Sequence, residues 1–179
     1  MDKRVGLGTR LGAALLDMCF VTVVSLLLGG TLGALLGLGA GALAGTGTQE
    51  ANTAAATGAA IGAVGGMLLG IYVFGFLYSL IEAFTGASPG KMALKIRIGL
   101  EDGRKAPSSS LFARWAVKYA GTLLGVVALM PGLHIIAPIG SVASFIVFVG
   151  CFLVLGDKKQ ALHDMAAKTA VFNKADIGT

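Results

Sequence analysis

Long apolar runs alternate with short polar ones along this chain, and the runs are too long for ordinary core helices. The first begins near residue 11 and continues without a breaker, through leucine- and then glycine-rich sequence, to about residue 44. The others cover about 54–84, 111–130 and 135–155. A helix needs about 20 mostly apolar residues to cross ~30 Å of hydrocarbon, so each run predicts a transmembrane span. The first two exceed that need, reaching roughly 45–50 Å at about 1.5 Å per residue. They either tilt strongly or carry their matched ends beyond the outer face of the membrane. Between the second and third runs, Leu94-Lys95-Ile96-Arg97-Ile98 alternates as a short strand does, and Asp102-Gly103 offers a hairpin turn. The expected fold is an all-α membrane protein in one domain over residues 1–179. It has four transmembrane helices, a long glycine-rich first hairpin and a small β-hairpin.

The charges say which side each loop occupies. All 14 Lys and Arg residues fall in three stretches, 3–10, 91–118 and 158–174, while the turns at 45–52 and 131–134 hold none. Basic loops stay in the cytoplasm, so four crossings place both termini and the 86–107 loop there, with no charge left in conflict. The apolar run after Lys3, Arg4 and Arg10 is much longer than a signal core of about 7–15 residues, and Asp17 interrupts it. A retained helix is expected. Composition agrees with a lipid environment: 55% hydrophobic, 13% charged, with a mean hydropathy of +0.83. A net charge of +5 confined to loops argues against nucleic acid as a partner, because a nucleic-acid surface mixes basic and aromatic residues on one soluble face. Membrane lipid is the expected partner, with anionic headgroups as one option for the basic 91–118 stretch.

Glycines recur every fourth residue on both arms of the first hairpin. Gly29, Gly33, Gly37, Gly41 and Gly45 lie on one arm, and Gly58, Gly62, Gly66 and Gly70 on the other. Such ridges let two helix backbones approach closely where lipid leaves packing as a main adhesive force. Tight helix packing is the plainer reading. An oligomeric glycine-lined pore is the sharper one.

Ionisable residues inside apolar runs are few. Asp17 lies seven positions beyond Arg10, hence on the same helix face and about 10 Å deeper. A carboxylate there costs about 2.5–3.5 kcal/mol unless it is paired, hydrated or protonated. Its roles are a proton or cation carrier, or a hydrogen-bonding pin between helices. Glu82, at the inner end of the second helix, is the natural ion-pair partner for Arg10. Phe112, Trp115 and Tyr119, with Arg114 and Lys118, suit a headgroup boundary. His163 beside Asp164 suggests a proton relay, although a histidine at a membrane edge is more often simply solvated. Cys19 and Cys151 have no metal-ligand spacing, and His134 and His163 fall on opposite faces of the membrane. Neither a metal, a cofactor nor an enzyme's catalytic set is expected. Gly90-Lys91 fails as a phosphate loop, since Met92 replaces the required Ser or Thr.

Three separated motifs resemble the RDD family of bacterial membrane proteins: Arg10-Leu-Gly-Ala-Ala-Leu-Leu-Asp17, Gly86-Ala-Ser-Pro-Gly-Lys91 with Lys95-Ile-Arg-Ile, and Leu162-His-Asp164 with Lys168-Thr169. The family is named for one arginine and two aspartates. The resemblance makes these Arg10, Asp17 and Asp164, with Asp157 a weaker match for the last. It implies the bacterial inner membrane and a transport role, without a substrate. The glycine-rich extension between residues 29 and 66 departs from the family's shorter first hairpin. A transport-related homo-oligomer with Asp17 as its acid and Arg10 as electrostatic counterweight is one expectation. A structural or accessory subunit of a larger membrane assembly is the other.

Overall fold

A computed structural model describes residues 3–44 and 49–178; Gly45 lies outside them. Among the described residues, three helical runs are long and apolar enough to cross a membrane: Leu7–Leu43, Asn52–Thr85 and His134–Leu155. Their side chains are largely uncovered by protein, as in Leu36, Leu43 and Phe145, which is the arrangement lipid would solvate. The chain divides into two compact units, residues 16–78 and residues 1–15 with 79–179.

The 16–78 unit is a helical hairpin. Its first arm runs from α1 (Leu7–Val24) through a π-helical turn, Ser25–Gly30, into α2 (Thr31–Ala44). Its second arm is α3 (Gln49–Thr85). The arms meet glycine to glycine. A Cβ on Gly29 would run into the carbonyl of Gly66, one on Gly33 into that of Gly62, and one on Gly37 into that of Gly58. Farther out, Gly41 meets the backbone of Ala54 and Ala55. Every step of four on one arm is matched by a step of four on the other, so the contact surface is a straight ridge of backbone. The same register continues inward, where Ser25, fully buried, faces Gly70. It ends at the pair Asp17 and Tyr78.

The other unit gathers chain segments far apart in sequence. α4 (Pro89–Ala93) starts with proline at its first position and Ser88 as its cap, the Lys91 N–H donating to Ser88 Oγ. β1 (Ile96–Leu100) follows, then α5 (Ser108–Lys118), α6 (Ala120–Val127), α7 (Ala137–Cys151), α8 (Leu162–Ala166) and β2 (Thr169–Asn173). The expected local hairpin at 94–103 is corrected here. β1 pairs antiparallel with β2, Ile96 opposite Asn173 and Leu100 opposite Thr169. The Asp102-Gly103 turn does form, with Gly103 at φ +84° and its N–H donating to Leu100 O. It leads into two isolated bridges, Gly99 to Lys105 and Arg104 to Gly178, rather than a second strand of a local hairpin. The C-terminal strand wins because Thr169, Ala170, Val171 and Phe172 are all buried, whereas residues 101–105 are largely polar. Val5 donates its N–H to Val171 O, so the chain's beginning is stitched to its end. Val5, Ala13, Ile96, Ile98, Ala106, Leu111 and Val171 form the core.

The span expected over 111–130 is not one unbroken helix. It divides at Tyr119, whose backbone (φ −105°, ψ 12°) leaves the helical range between α5 and α6. α5 turns Leu111, Arg114 and Trp115 inward, while the α6 glycine Gly121 packs against Gly140 and Ser144 of α7. The two halves have different solvents: α5 buries charge against protein, and α6 offers mainly aliphatic side chains.

Candidate functional site

The unit that contains the sheet holds a cluster of ionisable side chains from five helices, and nearly all are buried. Asp164 is fully covered at 0% exposure, Arg114 at 3%, His163 at 5%, Glu82 at 6% and Lys91 at 8%. Burying charges costs several kcal/mol each unless partners and hydrogen bonds compensate. Here they do.

Arg114 is the hinge of the cluster. Its Nε donates to Asp164 Oδ1 at 2.5 Å and its Nη1 to Glu82 Oε1. One planar guanidinium thereby bridges acids from α3 and α8, which a lysine's point charge would not do as well. Arg10 approaches Asp164 from the other side, Nη1 to Oδ2 at 2.5 Å, and gives its remaining edges to Lys159 O at 2.7 Å and Val5 O at 3.0 Å. The Ala161 N–H also donates to Asp164 Oδ2 at 3.2 Å. Around Glu82, Lys91 Nζ lies 2.7 Å and Lys118 Nζ 3.3 Å from the same oxygen, Oε2.

The expected pairing of Arg10 with Glu82 is therefore corrected. Arg10 meets Asp164, and Glu82 takes Arg114, Lys91 and Lys118. Helix periodicity placed the acids and bases at the right ends of their helices, but it carries no information on which helices pack together. Arg114 and Trp115 are corrected too. They are not headgroup anchors: Trp115 is buried and its Nε1–H donates to Ser79 Oγ at 2.9 Å. Phe112 is exposed and Lys118 partly so. The missed signal was the helical face of α5, on which Leu111, Arg114, Trp115 and Lys118 recur at spacings of three and four.

His163 is buried, which corrects the expectation of a solvated side chain. Arg114 Nη2 lies 3.1 Å from its Nε2. Arginine only donates, so Nε2 accepts, the ring is neutral, and its proton sits on Nδ1. Burial and then the Arg114 charge push its pKa down to about 3, against a partial counter-effect from Asp164. Asp164 is held below the usual carboxylate range. Burial acts to raise it, but Arg114 and Arg10 outweigh burial. Lys91 is lowered to about 7, chiefly by burial, with Arg114 and Lys118 adding to the effect against the pull of Glu82.

These shifts have a measurable consequence. Below pH ~6.5 an unfolded chain protonates His163 and the folded one does not, so stability is expected to fall by up to about 1.4 kcal/mol per pH unit. Asp164 contributes in the opposite place. Its stabilisation is present above about pH 4 and fades only as pH falls through its lowered value. Thermal melting in detergent between pH 6.5 and 4.5 isolates the histidine. The His163→Gln variant should show a flatter profile there, and an unchanged slope would refute the assignment.

In the hairpin unit, Asp17 is half-buried and its Oδ1 accepts a hydrogen bond from Tyr78 Oη at 2.7 Å. Tyr78 also packs against Phe20, with ring centroids 5.5 Å apart. Arg10, seven residues earlier in the sequence, spends its guanidinium on Asp164. Asp157 and His134 are exposed. No group of three or more His, Cys, Asp or Glu residues suited to a metal occurs among the described residues.

The model of the RDD family matches residues 4–168. The chain belongs to the RDD family. No curated protein and no solved structure matches it. Arg10 and Asp164, the arginine and one aspartate that the resemblance singled out in this RDD chain, are hydrogen-bonded to each other, while Asp17 sits on the hairpin beside Tyr78. The RDD match extends across both the apolar helices and the charged cluster, from Arg4 to Lys168.

Proposed function

We propose that this RDD-family chain is a transport-related protein of the bacterial cytoplasmic membrane, in which Asp17 takes up a proton or a cation. The observation that carries this reading is a carboxylate and a phenol 2.7 Å apart within helices otherwise apolar enough to cross a membrane. An acid at that depth is costly unless it serves an exchange or holds a partner, and a phenol that can give or take a hydrogen bond accommodates both protonation states.

The sheet supports an even number of crossings. β1 follows the second long helix and β2 follows α7, yet the two are hydrogen-bonded. Both strands must therefore lie on one side of the bilayer. If α7 crosses, the chain between α5 and α7 must cross as well, with α6 as its apolar part. The fourth span is then α6 lengthened by its neighbours and packed on α7 through Gly121 and Gly140. The side carrying the sheet also carries the basic stretches, which supports a cytoplasmic position for the sheet and both termini. The glycine ridge acts as a zipper that fixes the register of Asp17 against Tyr78. Four spans are few for an alternating-access site, so the working form is a homo-oligomer.

The test is ion flux in proteoliposomes under an imposed pH gradient. Wild type should conduct and Asp17→Asn should lose most of the flux while melting at a similar temperature. A silent wild-type protein at every gradient defeats the transport reading, and full flux in the variant defeats the role of Asp17. One observation favours an accessory subunit instead: Arg10, expected as a counterweight to Asp17, is committed to Asp164. Mass analysis after gentle extraction separates the readings, since a stoichiometric foreign partner supports the second.

A further inference from the structure

The charged cluster is out of balance. Arg10, Arg114 and Lys118, joined by Lys91 when it is protonated, surround two carboxylates, Glu82 and Asp164, and the nearby histidine is neutral. Ion pairs that exist only to hold a fold gain most when their charges cancel, because each surplus buried charge keeps its desolvation cost. Nor are the donors used up. Lys91 and Lys118 each own three N–H bonds, and their described carboxylate contact is the single oxygen Glu82 Oε2. Two ammonium groups sharing one oxygen lie within about 6 Å of each other at most, close enough for one tetrahedral anion to touch both.

A second observation points the same way. His163 Nδ1 is buried and has no hydrogen-bond partner among the described residues. Since Nε2 accepts from Arg114, Nδ1 carries the proton and is a donor without an acceptor. Leaving such a donor unmet inside a protein costs about 1–3 kcal/mol. The same Arg114 that meets the ring also holds Glu82, the acid both lysines contact. Surplus positive charge together with an unmet donor asks for an acceptor-rich anion. Lys118 marks the way in: its side chain is 32% exposed where Lys91 is at 10% and Arg114 at 4%. It lies over the Tyr119 ring, 5.2 Å from its centroid, at the point where α5 gives way to the apolar α6.

We propose that this cluster is a binding site for a phosphate-type oxyanion, with Lys118 and Lys91 as its charge partners and His163 Nδ1–H as a directional donor. The phosphate belongs to a lipid headgroup or to a free solute. The site stands whether or not Asp17 couples transport, because it draws on different residues. A phosphate seated there would also compensate the surplus charge that Arg114 and its neighbours otherwise carry.

The experiment uses the full chain in a neutral maltoside detergent. Inorganic phosphate is titrated against sodium chloride of equal ionic strength, followed by thermal melting and calorimetry. In parallel, phosphatidylglycerol is titrated against phosphatidylcholine and retained lipid is counted by native mass spectrometry. Saturable stabilisation by phosphate beyond chloride identifies a free anion. Retention of phosphatidylglycerol without a response to phosphate identifies a headgroup. Lys118→Met, at the exposed edge, and His163→Gln, which keeps an acceptor for Arg114 while losing the Nδ1–H, should each weaken binding about tenfold or more, as loss of a charge-assisted or buried hydrogen bond does. No saturable binding of either probe would overturn the proposal. So would equal binding by variants that melt like wild type, or a chloride response equal to that of phosphate.

Discussion

Arg114→Leu is expected to be the most damaging single substitution in the sheet-bearing unit, costing about 3–5 kcal/mol. The guanidinium touches two buried acids at once, Glu82 and Asp164, and one accepting histidine nitrogen. Leucine fills some of the volume but leaves Asp164, at 0% exposure, with Arg10 and the Ala161 N–H. Arg114→Lys should fall between, since one ammonium cannot reach both carboxylates with the same geometry. Because the loss comes from acids stranded without a cation, adding Asp164→Asn to Arg114→Leu should cost less than the two single changes do separately. Denaturant or thermal unfolding in detergent measures all four variants, Asp164→Asn alone included. A cost under about 1 kcal/mol for Arg114→Leu would mean the cluster is solvated in the working protein, contrary to its burial.

Gly33→Leu should be the most damaging change in the hairpin. The neighbour of a new side chain there is the Gly62 carbonyl and the Gly66 Cα, both backbone, so nothing can rotate aside. The helices must separate, at a cost of about 1–3 kcal/mol or more for forced overpacking. The damage should also travel along the shared register to the contact of Asp17 with Tyr78, reducing whatever flux the wild type supports. Gly39→Leu is the matched control, since a Cβ there meets nothing within 4 Å. It should melt like wild type. Equal behaviour of the two variants would show that the arms are not held by the glycine ridge.

Much of the cluster was legible as residues but not as a site. Glu82 stood out because ionisable groups beside apolar runs need a reason, and Arg10 and Asp164 through the family resemblance. Arg114 was hidden by its company: beside Phe112, Trp115 and Tyr119 it looked like part of a membrane-boundary belt. Lys91 was hidden by the failed phosphate-loop pattern around it. Neither residue's partner is local. Arg10 and Asp164 are 154 positions apart and Arg114 and Asp164 are 50 apart. The strand at 96–100 was visible from its alternation, yet its partner was not, because strand pairing depends on which other segment brings a buried face to it.

By itself, the order of residues determined the apolar runs, the confinement of cations to three stretches and the spacing of glycines every fourth residue. These are properties of single helices and of the solvent each demands, and helix period and hydrophobicity are read along the chain. Only the tertiary structure decided that Asp164 receives Arg10, that one arginine serves two acids, and that the last strand closes on the first. Those choices depend on which surfaces meet when distant segments pack, where one surplus or missing charge is worth several kcal/mol.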